Sequence, residues 1–185
     1  MRATRFWVTA LACAGLVFAG PARAAPVARA EKTITILQSA EPKAFDPSST
    51  YLSHEENVGT QIIEPIVALD TQLKPDPRLA LSWRNVEPLV WELKLRTGVK
   101  FTNGEPFNAD AVVASFVYMT RPDSAQRARF TNWEAVEKVD DATVRVRTKT
   151  QDPRFLTTLI QLYIMPPGVL KAKPESLVET PVVTG

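Results

Sequence analysis

The sequence predicts an α/β chain in which period-2 strands are interleaved with capped helices, and three observations lead there. Val90-Trp91-Glu92-Leu93-Lys94-Leu95-Arg96 puts Trp91, Leu93 and Leu95 on one face and Glu92, Lys94 and Arg96 on the other. Asn108 stands at an N-cap position before Val112, Val113, Phe116 and Val117, whose spacing marks a buried helical stripe running to Met119. The 185 residues are 45% hydrophobic and 23% charged, enough for a packed core, which excludes a disordered chain, a collagen or a disulfide-stapled miniprotein.

The first 24 residues read as an export signal. Arg2 and Arg5 form a positive start, and 6–19 is an apolar run too short for the roughly 20 residues of a membrane span. Pro21 breaks the helix, and Ala22-Arg23-Ala24 supplies small residues where a signal peptidase reads. Cleavage after Ala24 and a periplasmic location are expected. A lipid anchor on Cys13 fits less well, because Ala10-Leu11-Ala12 is a poor lipobox and apolar sequence continues to Ala19. Cys13 is the only cysteine, so the processed chain relies on its core rather than on disulfides. Arg2, Arg5 and Arg23 also account for the surplus of basic groups. Without these three, the 22 basic residues become 19 against 20 acidic ones, with no basic stripe to neutralise nucleic-acid phosphates.

Further along, Thr33-Ile34-Thr35-Ile36-Leu37 alternates as a first strand, and 41–49 is a turn-rich loop. Ser53 and Glu56 have capping-box spacing; Val58, Ile62 and Ile63 give that helix its apolar face, and Pro65 ends it before the strand 66–69. Gly98 and Asn103-Gly104 mark turns. Segments 134–139 and 143–148 form a hairpin around Asp140-Asp141. Asp152-Pro153 starts another helix, and Tyr163-Ile164-Met165 is a strand entering Pro166-Pro167.

Catalytic chemistry is nearly absent. His54, the single histidine, sits in the first turn of the capped helix, and no nucleophile or acid is placed beside it. A hydrolase using His54 as base is the alternative from another class. One histidine and no processed cysteine leave no zinc-ligand spacing. Asp140-Asp141 suits a hairpin tip, where neighbouring carboxylates point apart, better than an acid–base pair.

Six pieces occur in one order and spacing. They are Phe45-Asp46-Pro47, Glu64-Pro65, Leu79-Ala80-Leu81-Ser82-Trp83, 91–101 (from Trp91-Glu92-Leu93 to Val99-Lys100-Phe101), 103–112 (from Asn103-Gly104-Glu105-Pro106-Phe107) and 139–144. In that register the chain resembles, over 32–185, the extracytoplasmic solute-binding proteins of ABC importers, in their oligopeptide/dipeptide/nickel-binding family (family 5). Ile63 stands where the family often has an aromatic, Thr102 where it often has histidine, and Val183 replaces the first glycine of a closing Pro-Val-Gly-Thr-Gly turn. Trp83, Trp91 and Phe101 read as packing residues of the sheet face.

The resemblance implies part of a two-lobed periplasmic-binding-protein-like fold. Residues 31–63 and 151–185 would contribute to lobe one, 64–150 would be an inserted α/β subdomain, and the second lobe is absent. It implies a non-enzymatic role, capture of a small solute or short peptide and delivery to an inner-membrane ABC permease, with no cofactor or metal, no nucleic acid, and a monomer. In peptide-binding relatives the residues after the Asp-Pro loop run beside the ligand; here these are Tyr51, Leu52 and Ser53, unless they only staple and cap the helix. A second segment, 124–133, offers Arg127 and Arg129 to grip a carboxylate and Phe130 to cover an apolar group, unless it is a solvated loop with one core aromatic. A cleft needs both walls, so the chain alone is expected to be an incomplete, weakly binding clamp, or a truncated fragment of one.

Overall fold

The computed structural model describes residues 33–40, 46–49 and 53–172; the signal segment, Phe45, Tyr51, Leu52 and the closing turn lie outside them. The chain divides into one unit ending at Ile36 and another beginning at Leu37. Residues 33–37 form no strand: Ile34, Ile36 and Leu37 are 85%, 77% and 97% exposed, and no described residue pairs with them. Alternation marks a face, but a strand also needs an edge to bond to.

Helix α1 spans Ser53–Ile62 and ends before Pro65, as expected; the side chains of Ser53, His54 and Glu56 lie outside the described set. Two short antiparallel strands follow, β1 (Val67–Leu69) and β2 (Pro75–Pro77). The main sheet contains β3 (Ala80–Glu87), β4 (Val90–Leu95), β5 (Trp133–Asp140) and β6 (Thr143–Thr148), all antiparallel, in the order β3-β4-β6-β5. Its inner face carries Leu93, Leu95, Val136, Val144 and Val146, all buried, with Trp83 and Trp91 half-buried against them and Phe101 fully inside. Along the outer face, cross-strand register sets Arg84 beside Glu92, Glu92 beside Arg145, and Arg145 beside Glu137. Glu92 is only 5% exposed because Arg84 and Arg145 close over it, at 2.7 and 3.0 Å. Those two guanidinium bonds hold its carboxyl below the ordinary 4.5.

Helix α2 (Ala109–Thr120) packs on this sheet, and Asn108 Oδ1 accepts its Ala111 N–H at 3.2 Å. The buried stripe differs from the expected one. Val112 and Phe116 are inside with Ser115 and Met119, whereas Val113 is half-buried and Val117 is 61% exposed. At 100° per residue, 113 and 117 turn away from the line through 112, 116 and 119. The tip between β5 and β6 is a turn: Asp140 Oδ1 accepts Ala142 N–H at 2.8 Å, while Asp141 pairs with Lys138 at 2.7 Å. Lys138 also reaches Asp110 on α2, and the two carboxylates push its pKa up to about 12.

The helix expected from Asp152 begins later, as α3 (Phe155–Leu159), because Asp152 is used in a preceding turn that accepts Arg154 and Phe155 N–H. Tyr163-Ile164-Met165 is not a strand. Tyr163 makes one isolated bridge to Pro65, and the Met165 N–H goes to Ser115 Oγ at 2.9 Å instead of to a ladder. A further short helix, α4 (Pro167–Ala172), follows and packs on α2. A stacked aromatic column runs Trp91–Phe155–Trp133–Phe116, with centroids 4.4, 5.3 and 5.9 Å apart, and ties β4, α3, β5 and α2 together.

Candidate functional site

The site is built from the Asp46-Pro47-Ser48-Ser49 loop and the chain leaving α2. Proline fixes the backbone after Asp46, and the aspartate folds over it as an Asx turn. Asp46 Oδ1 accepts Ser48 N–H at 2.8 Å and Oδ2 accepts the Ser48 hydroxyl at 2.9 Å. The Asp46 carbonyl takes the N–H and hydroxyl of Ser49 at 3.1 and 2.7 Å. Sequence reading saw this much as a turn.

What the loop docks on is remote in sequence. Tyr118, on the last turn of α2, donates its hydroxyl to Asp46 Oδ2 at 2.9 Å. Arg121, just past the helix, donates to Ser48 Oγ at 2.9 Å, lies 3.8 Å from Asp46 Oδ2, and stacks 3.7 Å above the Tyr118 ring. Ser124 Oγ and Ala125 N–H both donate to the Ser48 carbonyl, at 3.2 and 3.0 Å, and Gln126 Nε2 donates to the Ser49 carbonyl at 2.9 Å. Asp46, Ser48, Tyr118, Ser124 and Gln126 are all buried, so each polar group needs these partners. Burial, with the Asp46 charge assisting, raises the Tyr118 pKa, while the Ser48 and Arg121 bonds oppose that rise.

The network joins the 46–49 loop to the start of the second segment singled out from sequence, at Ser124, Ala125 and Gln126. Residues 46–49 lead toward Tyr51, Leu52 and Ser53; the first two lie outside the described residues, and Ser53 opens α1. Gln126 leads into a 3-10 turn, Arg127–Phe130. Arg127 is exposed, its guanidinium has no partner among the described residues, and it lines a recess of about 280 Å³ with Thr131, Glu134 and Lys149. Arg129 is exposed and donates to Gln161 Oε1, at the rim of a groove of about 490 Å³ that Ile62, Glu64, Arg78 and Tyr163 also line. Phe130 is placed otherwise. At 2% exposure, with its ring edge-on to Phe116 and Trp133 at 6.2 and 5.4 Å, it packs the core and offers no face to a ligand. Asp46, Ser48, Tyr118, Arg121 and Gln126 were not singled out as site residues from sequence. Only the Asp-Pro-Ser turn signals any of them locally. Among the described residues no cluster of His, Cys, Asp or Glu is placed to hold a metal, and no helix is long and apolar enough to cross a membrane.

Residues 74–185 match the model of the bacterial extracellular solute-binding proteins, family 5 middle region. The chain belongs to the family 5 solute-binding proteins. Members of family 5 are non-enzymatic binding components of ABC transporters, which act on small ligands or peptides. The periplasmic oligopeptide-binding protein OppA of Haemophilus influenzae is 34% identical over 110 residues, 59% of this chain and 20% of OppA. The glutathione-binding protein GsiB of Salmonella choleraesuis is 28% identical over 159 residues, 84% of this chain and 30% of its own. The crystal structure of Haemophilus influenzae OppA in complex with RPPGFSPFR superposes with a TM-score of 0.70 at 26% identity, covering 76% of this chain and 32% of that one. The described residues thus adopt part of the family 5 fold, and the chain spans between a fifth and a third of the length of these relatives.

Proposed function

We propose that this chain forms one wall of the ligand cleft of a periplasmic solute-binding protein that captures short peptides and passes them to an inner-membrane ABC permease. The observation that supports this most is the hydrogen-bonded joining of the 46–49 loop to 124–126, directly ahead of the exposed Arg127 and Arg129. Tyr51, Leu52 and Ser53 would offer backbone to an extended peptide, as in strand addition, and Arg127 and Arg129 would meet its carboxylates. Phe130 would support Arg127 and Arg129 from the core. The reading includes export with cleavage after Ala24, an inserted subdomain at 64–150, and a monomer.

The test is a titration of the isotope-labelled chain, followed by NMR, with glutathione and separately with RPPGFSPFR. One wall gives weak binding, so a Kd near about 1 mM, or −4 kcal/mol, is expected, with shifts concentrated in 48–53 and 124–130. No shifts at about 10 mM probe, or shifts mapping to the outer sheet face around Arg84 and Arg145, would overturn the proposal.

A further inference from the structure

We propose that Asp46, Tyr118 and Arg121 are positioning residues for solute binding, a latch between the 46–49 loop and 124–126 that fixes the backbone from which Arg127 and Arg129 project; this rests on the peptide-binding reading above. The 46–49 loop meets the chain at and after the end of α2 through buried polar groups. Asp46 is 9% exposed, Ser48 1%, Tyr118 8%, Ser124 7% and Gln126 7%. An apolar contact would hold the segments together but leave them free to slide, since burial is non-directional. Hydrogen bonds fix direction as well as distance. Here Asp46 Oδ2 takes Tyr118 from one side and Ser48 from the other, at 2.9 Å each. The Ser48 carbonyl then takes Ser124 and Ala125, and the Ser49 carbonyl takes Gln126. Immediately after the last of these bonds come Arg127 and Arg129, exposed and without a carboxylate partner among the described residues. The latch therefore ends where the solvent-facing guanidiniums begin. Arg121 clamps it from outside, its cation stacked on Tyr118 and bonded to Ser48.

The experiment compares the full chain with Tyr118→Phe, Asp46→Asn and the double variant. Val136→Ala serves as a control that lowers stability elsewhere in the core. Amide exchange is read without ligand, and the NMR titration with glutathione or RPPGFSPFR is then repeated. Tyr118→Phe keeps the ring under Arg121 and removes the hydroxyl that bonds Asp46. Exchange at Ser48, Ser49 and Ala125 is expected to rise about tenfold or more in both single variants while Leu93 and Val146 keep wild-type protection. The probe Kd is expected to rise about fivefold or more, and the double variant to fall short of the sum of the two single effects, because the two substitutions share the Tyr118–Asp46 bond. Val136→Ala should leave the probe Kd unchanged. Unchanged exchange at these amides would overturn the latch. Faster exchange with an unchanged Kd would overturn the positioning role while leaving peptide binding intact. A wild-type chain that binds neither probe would overturn the peptide reading and the positioning role with it.

Discussion

Leu93 lies at the centre of the sheet, fully buried on β4, between Trp83 on β3 and Val144 on β6 in register. Replacing it with alanine removes three carbons, about 2.4 kcal/mol at roughly 0.8 per methylene. A cavity term adds to this. The neighbours are strand residues held by ladders on both sides, so the void closes poorly, and the total should fall at about 3–5 kcal/mol. Lys94, the next residue, is the internal control. Its side chain is 53% exposed, it donates to Thr143 Oγ1 at 2.9 Å, and it lies 4.0 Å from Glu92. Lys94→Ala should stay within about 0.5 kcal/mol. Urea unfolding followed by tryptophan fluorescence separates the two. With a slope of about 1–3 kcal/mol per molar, Leu93→Ala should lower the midpoint by roughly 1–5 M and Lys94→Ala by less than about 0.5 M. Equal shifts would show that the strand does not bury one face and expose the other.

Two further outcomes follow from the outer sheet face and from the β1–β2 turn. Glu92 has a folded pKa below its ordinary 4.5, set by the Arg84 and Arg145 bonds. The unfolded chain therefore takes up the proton first, so the stabilisation is fully present above 4.5 and is lost as pH falls through the lowered folded value. Glu92→Gln should be less stable than wild type at neutral pH, with the gap narrowing in urea titrations run at successively lower pH below about 4.5; a gap independent of pH would refute this assignment. Leu73 holds a left-handed backbone, φ 61°, while 77% exposed, which costs a leucine about 1–2 kcal/mol and an asparagine less. Leu73→Asn should raise the urea midpoint by the equivalent of about 0.5–1 kcal/mol, and a lowered midpoint would show that Leu73 has a packing role.

The parts legible in sequence were those decided by neighbouring residues. The Asn108 cap, the β5–β6 hairpin with its Asp140-Asp141 tip, and β4 with its alternating faces all announce themselves within a few positions. Strand β3 is legible only through Trp83, because Ser82, Arg84 and Asn85 leave a sparse apolar pattern on an edge. β2 is hidden by its own Pro-Asp-Pro sequence, which only an edge pairing tolerates. The converse holds at 163–165, where two β-favouring residues, Tyr163 and Ile164, precede Met165, whose backbone N–H goes to the buried Ser115. In the candidate site, the Asx turn at Asp46 is local, but Tyr118 lies 72 residues away, and nothing near either residue names the other.

The charges of the described chain are distributed in a way that bears on where a ligand carboxylate would go. On the outer sheet face each guanidinium has a carboxylate within reach: Arg84 and Arg145 share Glu92, and Arg147 lies 3.6 Å from Glu137. Charges paired in this way keep a flat sheet face in water and offer little net field to an incoming anion. At the 3-10 turn the arrangement is different. Arg127 has no partner among the described residues, and Arg129 spends its bond on the neutral Gln161. A carboxylate arriving there displaces only water and an amide, whereas on the sheet it would have to compete with Glu92 for two guanidiniums already engaged. Charge-assisted bonds are about twice as strong as neutral ones, so on the proposed peptide-binding reading a ligand carboxylate would favour Arg127 and Arg129. The buried polar latch behind them would then hold still a charged surface that, on a free loop, would spend much of its binding energy on becoming ordered.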